Sequence, residues 1–174
     1  GLSKAALETV TYAKKLGNEV VVLTNGKASS ESLTCLGEYG ATKVLVDRMV
    51  DGEDSQQLTR LISAVVQNIG AKTVIFSHDL IGKAVAPRLS VRLQAGLIAG
   101  AISIPDANGA VKVNVFSGKA IGNVKVSSAI KIISLLPNSI QPEKTGTNCP
   151  VEETNGLGGT AAIKVISTKK PEGE

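Results

Sequence analysis

The sequence predicts an α/β protein: a three-layer α/β/α arrangement around an open, mainly parallel sheet, with extra antiparallel strands in its second half. Three observations carry that expectation. Short apolar runs (EVVVLT, KVLVD and TVIFS) have no polar alternation, as expected of strands buried on both faces. The stretches between them carry apolar residues at helical spacing, so strands and helices alternate and a parallel sheet covered on both sides follows. After Leu97 strand-like runs succeed one another without helices, which suits an antiparallel or mixed extension.

The elements follow in order. Leu2, Leu7, Val10 and Leu16 place a helix in the first residues, with Ser3 able to cap it and Gly17 to stop it. EVVVLT then reads as a strand ending at Thr24-Asn25-Gly26-Lys27, a common turn composition. SSESLTCLGEYG is a short helix with Ser29 or Ser30 at its start, and KVLVD is the next strand. From Asp54 to Ile69, one side of a helix collects Leu58, Leu61, Ile62, Val65 and Val66. Asp51, Glu53 and Asp54 cluster before it, where acidic residues complement a helix N-terminus and need no catalytic role. TVIFS is the third apolar strand, and a helix starting near Gly82 carries Val85, Leu89 and Leu93. Pro87 is either a first-turn proline or a kink in that helix.

Strands are expected at residues 98–104 and 111–116, joined by a turn at 105–109, and again at 119–127 and 130–136. Residues 137–160 are rich in Pro, Gly, Asn and Thr and read as loop; residues 161–167 read as a last strand. The chain starts directly at a helix, whereas a doubly wound domain starts with a strand. Either an edge is missing or the first strand was lost.

Composition narrows the function classes. With 43% hydrophobic and 20% charged residues over 174 positions, the chain can bury a real core. Aromatic residues make up only 2%, too few for base-stacking platforms, and the net charge of +4 is scattered, so no nucleic-acid surface is read. Two distant cysteines, Cys35 and Cys149, fit a reduced intracellular protein. The single histidine, His78, excludes metal sites built on two imidazoles. No apolar stretch approaches the ~20 residues of a membrane span, and no signal peptide is read.

The strongest candidate site lies at residues 73–97, where strand, polar turn and helix N-terminus follow one another, as at the binding edge of an open α/β sheet. Ser77-His78-Asp79 is no nucleophilic triad, because neighbours on an extended chain point to opposite faces. These residues are either a polar strand end or a pocket wall. Gly82-Lys83 at a helix start is a candidate anion cradle, although the phosphate-loop spacing is absent. Arg88 and Arg92 are spaced i,i+4 and share a face; they form a solvated stripe or meet a carboxylate or phosphate on a partner. Phe116-Ser117-Gly118 opens the second notable motif, either a tight connection or a contact with a partner domain. No catalytic residue is assigned.

Four stretches carry a family resemblance: KAALETVTYAKKLG at 4–17, LGEYGATKVLVD at 36–47, SHDLIGKAVAPRLSVRLQAGLIAGA at 77–101, and FSGKAIGNV with IKIISLLPNS at 116–139. Together they resemble the N-terminal domain of the electron-transfer flavoprotein alpha subunit, and the FSGKA form with His78 is most like bacterial members. The resemblance implies that residues 1–168 are an α/β domain of the adenine nucleotide alpha-hydrolase-like kind, lacking its first strand. Residues 169–174 would start a linker to an absent FAD-binding domain. The implied function is electron transfer by the parent protein, with FAD bound outside this domain and no enzymatic chemistry within it. The beta subunit is the implied partner through Arg88, Arg92, Phe116, Ser117 and Gly118. Ser77, His78, Gly82 and Lys83 would be the remnant of a nucleotide pocket.

Through the full complex, dehydrogenases and a quinone reductase or another acceptor are implied, as in fatty acid beta-oxidation. The implied location is the cytoplasm of a bacterium or the mitochondrial matrix of a eukaryote. Two rival readings are a nucleotide-binding module of the universal-stress type and a small hydrolase using His78.

Overall fold

The computed structural model describes residues 2–26, 28–50, 54–167 and 169. Among the described residues, eight strands and four α-helices alternate and then give way to strands alone, as expected. The helix α1 (Lys4–Lys15) starts at Ser3, whose hydroxyl accepts from Ala6 N–H at 3.2 Å. Strand β1 (Val21–Asn25) follows, then α2 (Ser30–Thr34), capped by Ser29 and prolonged by a 3-10 turn over Cys35–Tyr39. Strand β2 (Lys43–Asp47) leads to α3 (Ser55–Ile69), where Asp54 accepts from Gln56 and Gln57 N–H at 2.8 and 3.1 Å. Of the acidic cluster before that helix, Asp51 and Glu53 lie outside the described residues, as does Lys27.

Strand β3 (Thr73–Ser77) runs into α4 (Leu80–Leu93), which starts two residues before Gly82 because Asp79 caps it. Pro87 is therefore eight positions in, an interior proline and not a first-turn one. Strands β4 (Gly96–Ala101), β5 (Val111–Val115), β6 (Ala120–Val124) and β7 (Lys131–Leu135) complete the expected series.

The sheet is mixed. β3, β7 and β4 lie side by side and parallel, and β5 and β6 extend them antiparallel. Side chains alternate between two helical layers, as the pleat requires. Ile75, Ile98, Ile133 and Leu135 face α1, around Tyr12. Val74, Phe76, Leu97 and Ile132 face α4, around Leu89. Val22, Val44 and Val46 pack under α1 and α2, while Val21, Leu23 and Leu45 meet α3.

Two strand expectations are corrected. Residues 161–167 form no strand; Ile163, Val165 and Ile166 are 60%, 44% and 95% exposed, and Ala162 N–H is held by the Asp54 carboxylate at 3.0 Å. Instead, β8 (Val151–Glu153) arises within the stretch read as loop and pairs parallel with β2. Three residues are too few to show a period. Pairing is what makes the strand: Val44 N–H donates to the Pro150 carbonyl, and Glu152 and Glu153 meet Lys43 and Arg48.

The strands fall into two groups, β1-β2-β8 and β3-β7-β4-β5-β6. Among the described residues β1 pairs only with β2, and β3 only with β7. Both turn a free edge to the same cavity of about 370 Å³, roofed by α1 and lined by Val21, Leu23, Ile75 and Phe76. The break in the sheet is thus internal, not at an outer edge. Of the expected linker, only Lys169 is described.

Candidate functional site

Three regions answer to the sequence-predicted residues, and the structure separates them. At the end of β3 the turn divides its side chains. Ser77 lines the cavity between β1 and β3, and its Oγ is buried without a partner among the described residues. His78 points elsewhere: its Nδ1 lies 2.9 Å from Ser134 Oγ on β7. That oxygen also accepts Gly100 N–H at 3.2 Å. Gly100 sits at the bulge in β4 with φ +74°, and a side chain there would approach His78 Nε2.

Burial first, and then the Lys83 charge, hold the His78 pKa below its usual value, with Asp79 opposing them. Ser134 is only 2% exposed, so the pair offers no nucleophile that a substrate can reach. The His78 to Ser134 bond ties three strand ends together. Sequence reasoning missed Ser134 because it lies 56 residues away and reads as an ordinary strand position.

The expected anion cradle is occupied from within. Asp79 Oδ1 accepts Gly82 N–H at 2.8 Å, and the Asp79 carbonyl accepts Lys83 N–H at 2.9 Å. A carboxylate already fills the place where phosphate would sit. Gly82 serves packing: a Cβ there would lie 1.9 Å from the Ser77 carbonyl oxygen. Lys83 is exposed. Ser77, His78, Gly82 and Lys83 therefore do not line one pocket.

Arg88 and Arg92 lie exposed on α4 and form no ion pair among the described residues. They border an apolar stripe that the sequence reading did not single out, with Leu80 and Val91 86% and 81% exposed. The signal was present as 4-3-4 spacing over positions 80, 84, 87 and 91. It was masked because the opposite face is apolar too.

Phe116, Ser117 and Gly118 form the tip of the β5–β6 hairpin, all with positive φ. Gly118 N–H closes the turn on the Val115 carbonyl at 3.1 Å. Phe116 is held at φ +50°, unfavourable for an aromatic residue, yet is 79% exposed. Ile121, on β6, is 60% exposed, and Lys112 and Lys119 are exposed around it.

The described helix starts offer no uncapped site to a flavin pyrophosphate. A pyrophosphate needs free N–H groups at a helix start, and Ser3, Ser29, Asp54 and Asp79 cap the four helices with their own side chains. The cavity of about 370 Å³ is a slot between strand edges without a cationic side chain in its lining, and a second of about 280 Å³ lies beside Lys14 and residues 145–150. No described group of three or more His, Cys, Asp or Glu could hold a metal ion, and no described helix is long and apolar enough to cross a membrane.

Residues 1–166 match the family model of the electron transfer flavoprotein domain. The chain is 26% identical, over 171 residues, to the electron transfer flavoprotein subunit alpha of Syntrophomonas wolfei, covering 96% of this chain and 51% of that protein. It is 30% identical to the subunit alpha of Bacillus subtilis over 134 residues, 75% of this chain and 41% of that one. A probable mitochondrial subunit alpha of Caenorhabditis elegans is 25% identical over 154 residues, 87% and 46% of the respective chains. The chain spans about half the length of these relatives or somewhat less. On the match over nearly its whole length, the chain belongs to the electron transfer flavoprotein domain family.

Proposed function

We propose that this chain is the N-terminal scaffold domain of an electron-transfer flavoprotein alpha subunit. It pairs with the beta subunit and holds in place a flavin domain that follows it. The observation that carries the reading is the family match over residues 1–166, joined by three relatives named as alpha subunits. In this reading FAD binds beyond residue 168 and this domain does no chemistry of its own. The slot between β1 and β3 takes a first strand of the domain, parallel to both neighbours; the facing free edges support it.

Contact with the beta subunit uses two surfaces, α4 with Arg88 and Arg92 and the hairpin tip with Phe116, Ser117 and Gly118. The exposed apolar groups beside each support this, since buried aromatic and Arg anchors dominate protein interfaces. Dehydrogenases, and a quinone reductase or other acceptor, exchange electrons with the assembled protein, as in fatty acid beta-oxidation. The protein works in the cytoplasm of a bacterium or in the mitochondrial matrix of a eukaryote; the Caenorhabditis elegans relative is named mitochondrial.

A nucleotide-binding module of the universal-stress type is disfavoured by the capped Gly82 N–H. Calorimetric titration separates the two readings. The scaffold reading expects no saturable heat when ATP, AMP or FAD is added to the isolated chain. Stoichiometric nucleotide binding would overturn it.

A further inference from the structure

We propose that the outer face of α4 is a docking seam for an apolar strip edged with carboxylates on the beta subunit. The inference rests on the reading that this chain pairs with such a subunit. At 100° per residue, positions 80, 84, 87 and 91 fall within about 60° of one another on the helix. They lie opposite Val85, Ala86 and Leu89, which are buried against the sheet. Leu80, Ala84, Pro87 and Val91 therefore make one continuous exposed line with the 4-3-4 spacing of a helix-packing seam. A helix apolar on both faces buries both, and the structure buries only one.

The charge beside the seam indicates the occupant. Lys83 borders it on one side and Arg88 and Arg92 on the other, all exposed and none in an ion pair among the described residues. The nearest acid along the chain is Asp79 at the helix start, already bonded to Gly82 N–H. Three cations facing three cations would repel across a twofold axis, so a second copy of this chain is the wrong partner. An apolar strip flanked by Asp and Glu is the matching one. Pro87 adds a polar handle. It has no N–H to bond the Lys83 carbonyl one turn back, so that acceptor lacks its usual helical donor.

The test uses the full alpha subunit that carries this chain, titrated with its beta subunit. Leu80→Glu with Val91→Glu is expected to weaken association at least tenfold. Arg88→Glu with Arg92→Glu is expected to slow association and reduce its salt dependence. Leu80→Gln with Val91→Gln serves if the glutamates disturb folding, which circular dichroism reports; both sites are largely exposed. Wild type binding while both the Glu pair and the Gln pair bind within twofold of it would overturn the seam and leave the pairing intact. No association of wild type would overturn both. Light scattering showing a homodimer that the Leu80 and Val91 changes abolish would assign the seam to a second copy and overturn the proposal.

Discussion

At the scale of single residues, several buried polar groups are tied to distant partners, while several large apolar groups are left outside. Tyr12 is fully buried on α1 and donates its hydroxyl to the Ser103 carbonyl at 2.9 Å, and burial pushes its pKa up to about 12. Glu8, 1% exposed, accepts Asn138 N–H at 3.0 Å and fixes the turn after β7. Neither role was legible in the sequence, because the partners lie 91 and 130 residues away. Phe116 is the opposite case: a strained backbone carries a side chain with nothing to cover it. Replacing it with Gly removes the left-handed penalty of about 1 kcal/mol, so Phe116→Gly is expected to raise the melting temperature. A drop on thermal melting would mean that the ring stabilises the isolated fold and has no need of a partner.

At the scale of elements, the helices and most strands were legible because period and caps agree. Asp54 to Ile69 has both an N-cap and an apolar side, and the helix is found there. The junction of β3 and α4 was read two residues late. Asp79 looked like a strand end, but its carboxylate accepts from the third residue of the helix. Strand β8 was not legible, since it exists through pairing with β2 and two ion pairs. Residues 161–167 failed in the other sense, having strand-like composition but pairing with no strand. Gly82 shows how closely the β3–α4 junction is packed. Gly82→Ala would set a methyl against the Ser77 carbonyl. Overpacking of this kind costs about 1–3 kcal/mol, and a backbone atom cannot swing away. Chemical denaturation should read a loss near the top of that range; an unchanged midpoint would show that the junction relaxes freely.

At the scale of the whole molecule, the two strand groups are held together by helices that span them. α1 packs under both, and α3 meets β1 and β2 on one side and Phe76 on the other. That arrangement keeps a strand-sized slot open in the middle of the layer. The sequence led to the expectation of either a missing edge or a lost first strand. It could not place the gap between β1 and β3, because strand order depends on crossovers that no local pattern records. The family could be read from four sequence stretches, whereas the outer seam of α4 emerged only once burial distinguished its two faces.

The central claim is a scaffold that pairs with a beta subunit and leaves the flavin to a domain beyond it. The direct measurement is purification of the tagged native protein, with intact mass and subunit ratio of what comes with it. The account predicts an alpha chain of roughly twice 17.9 kDa, as its relatives' lengths suggest, in a one-to-one complex with a beta subunit and carrying FAD. A chain of 17.9 kDa that purifies alone, or with nucleotide and no beta subunit, would contradict it.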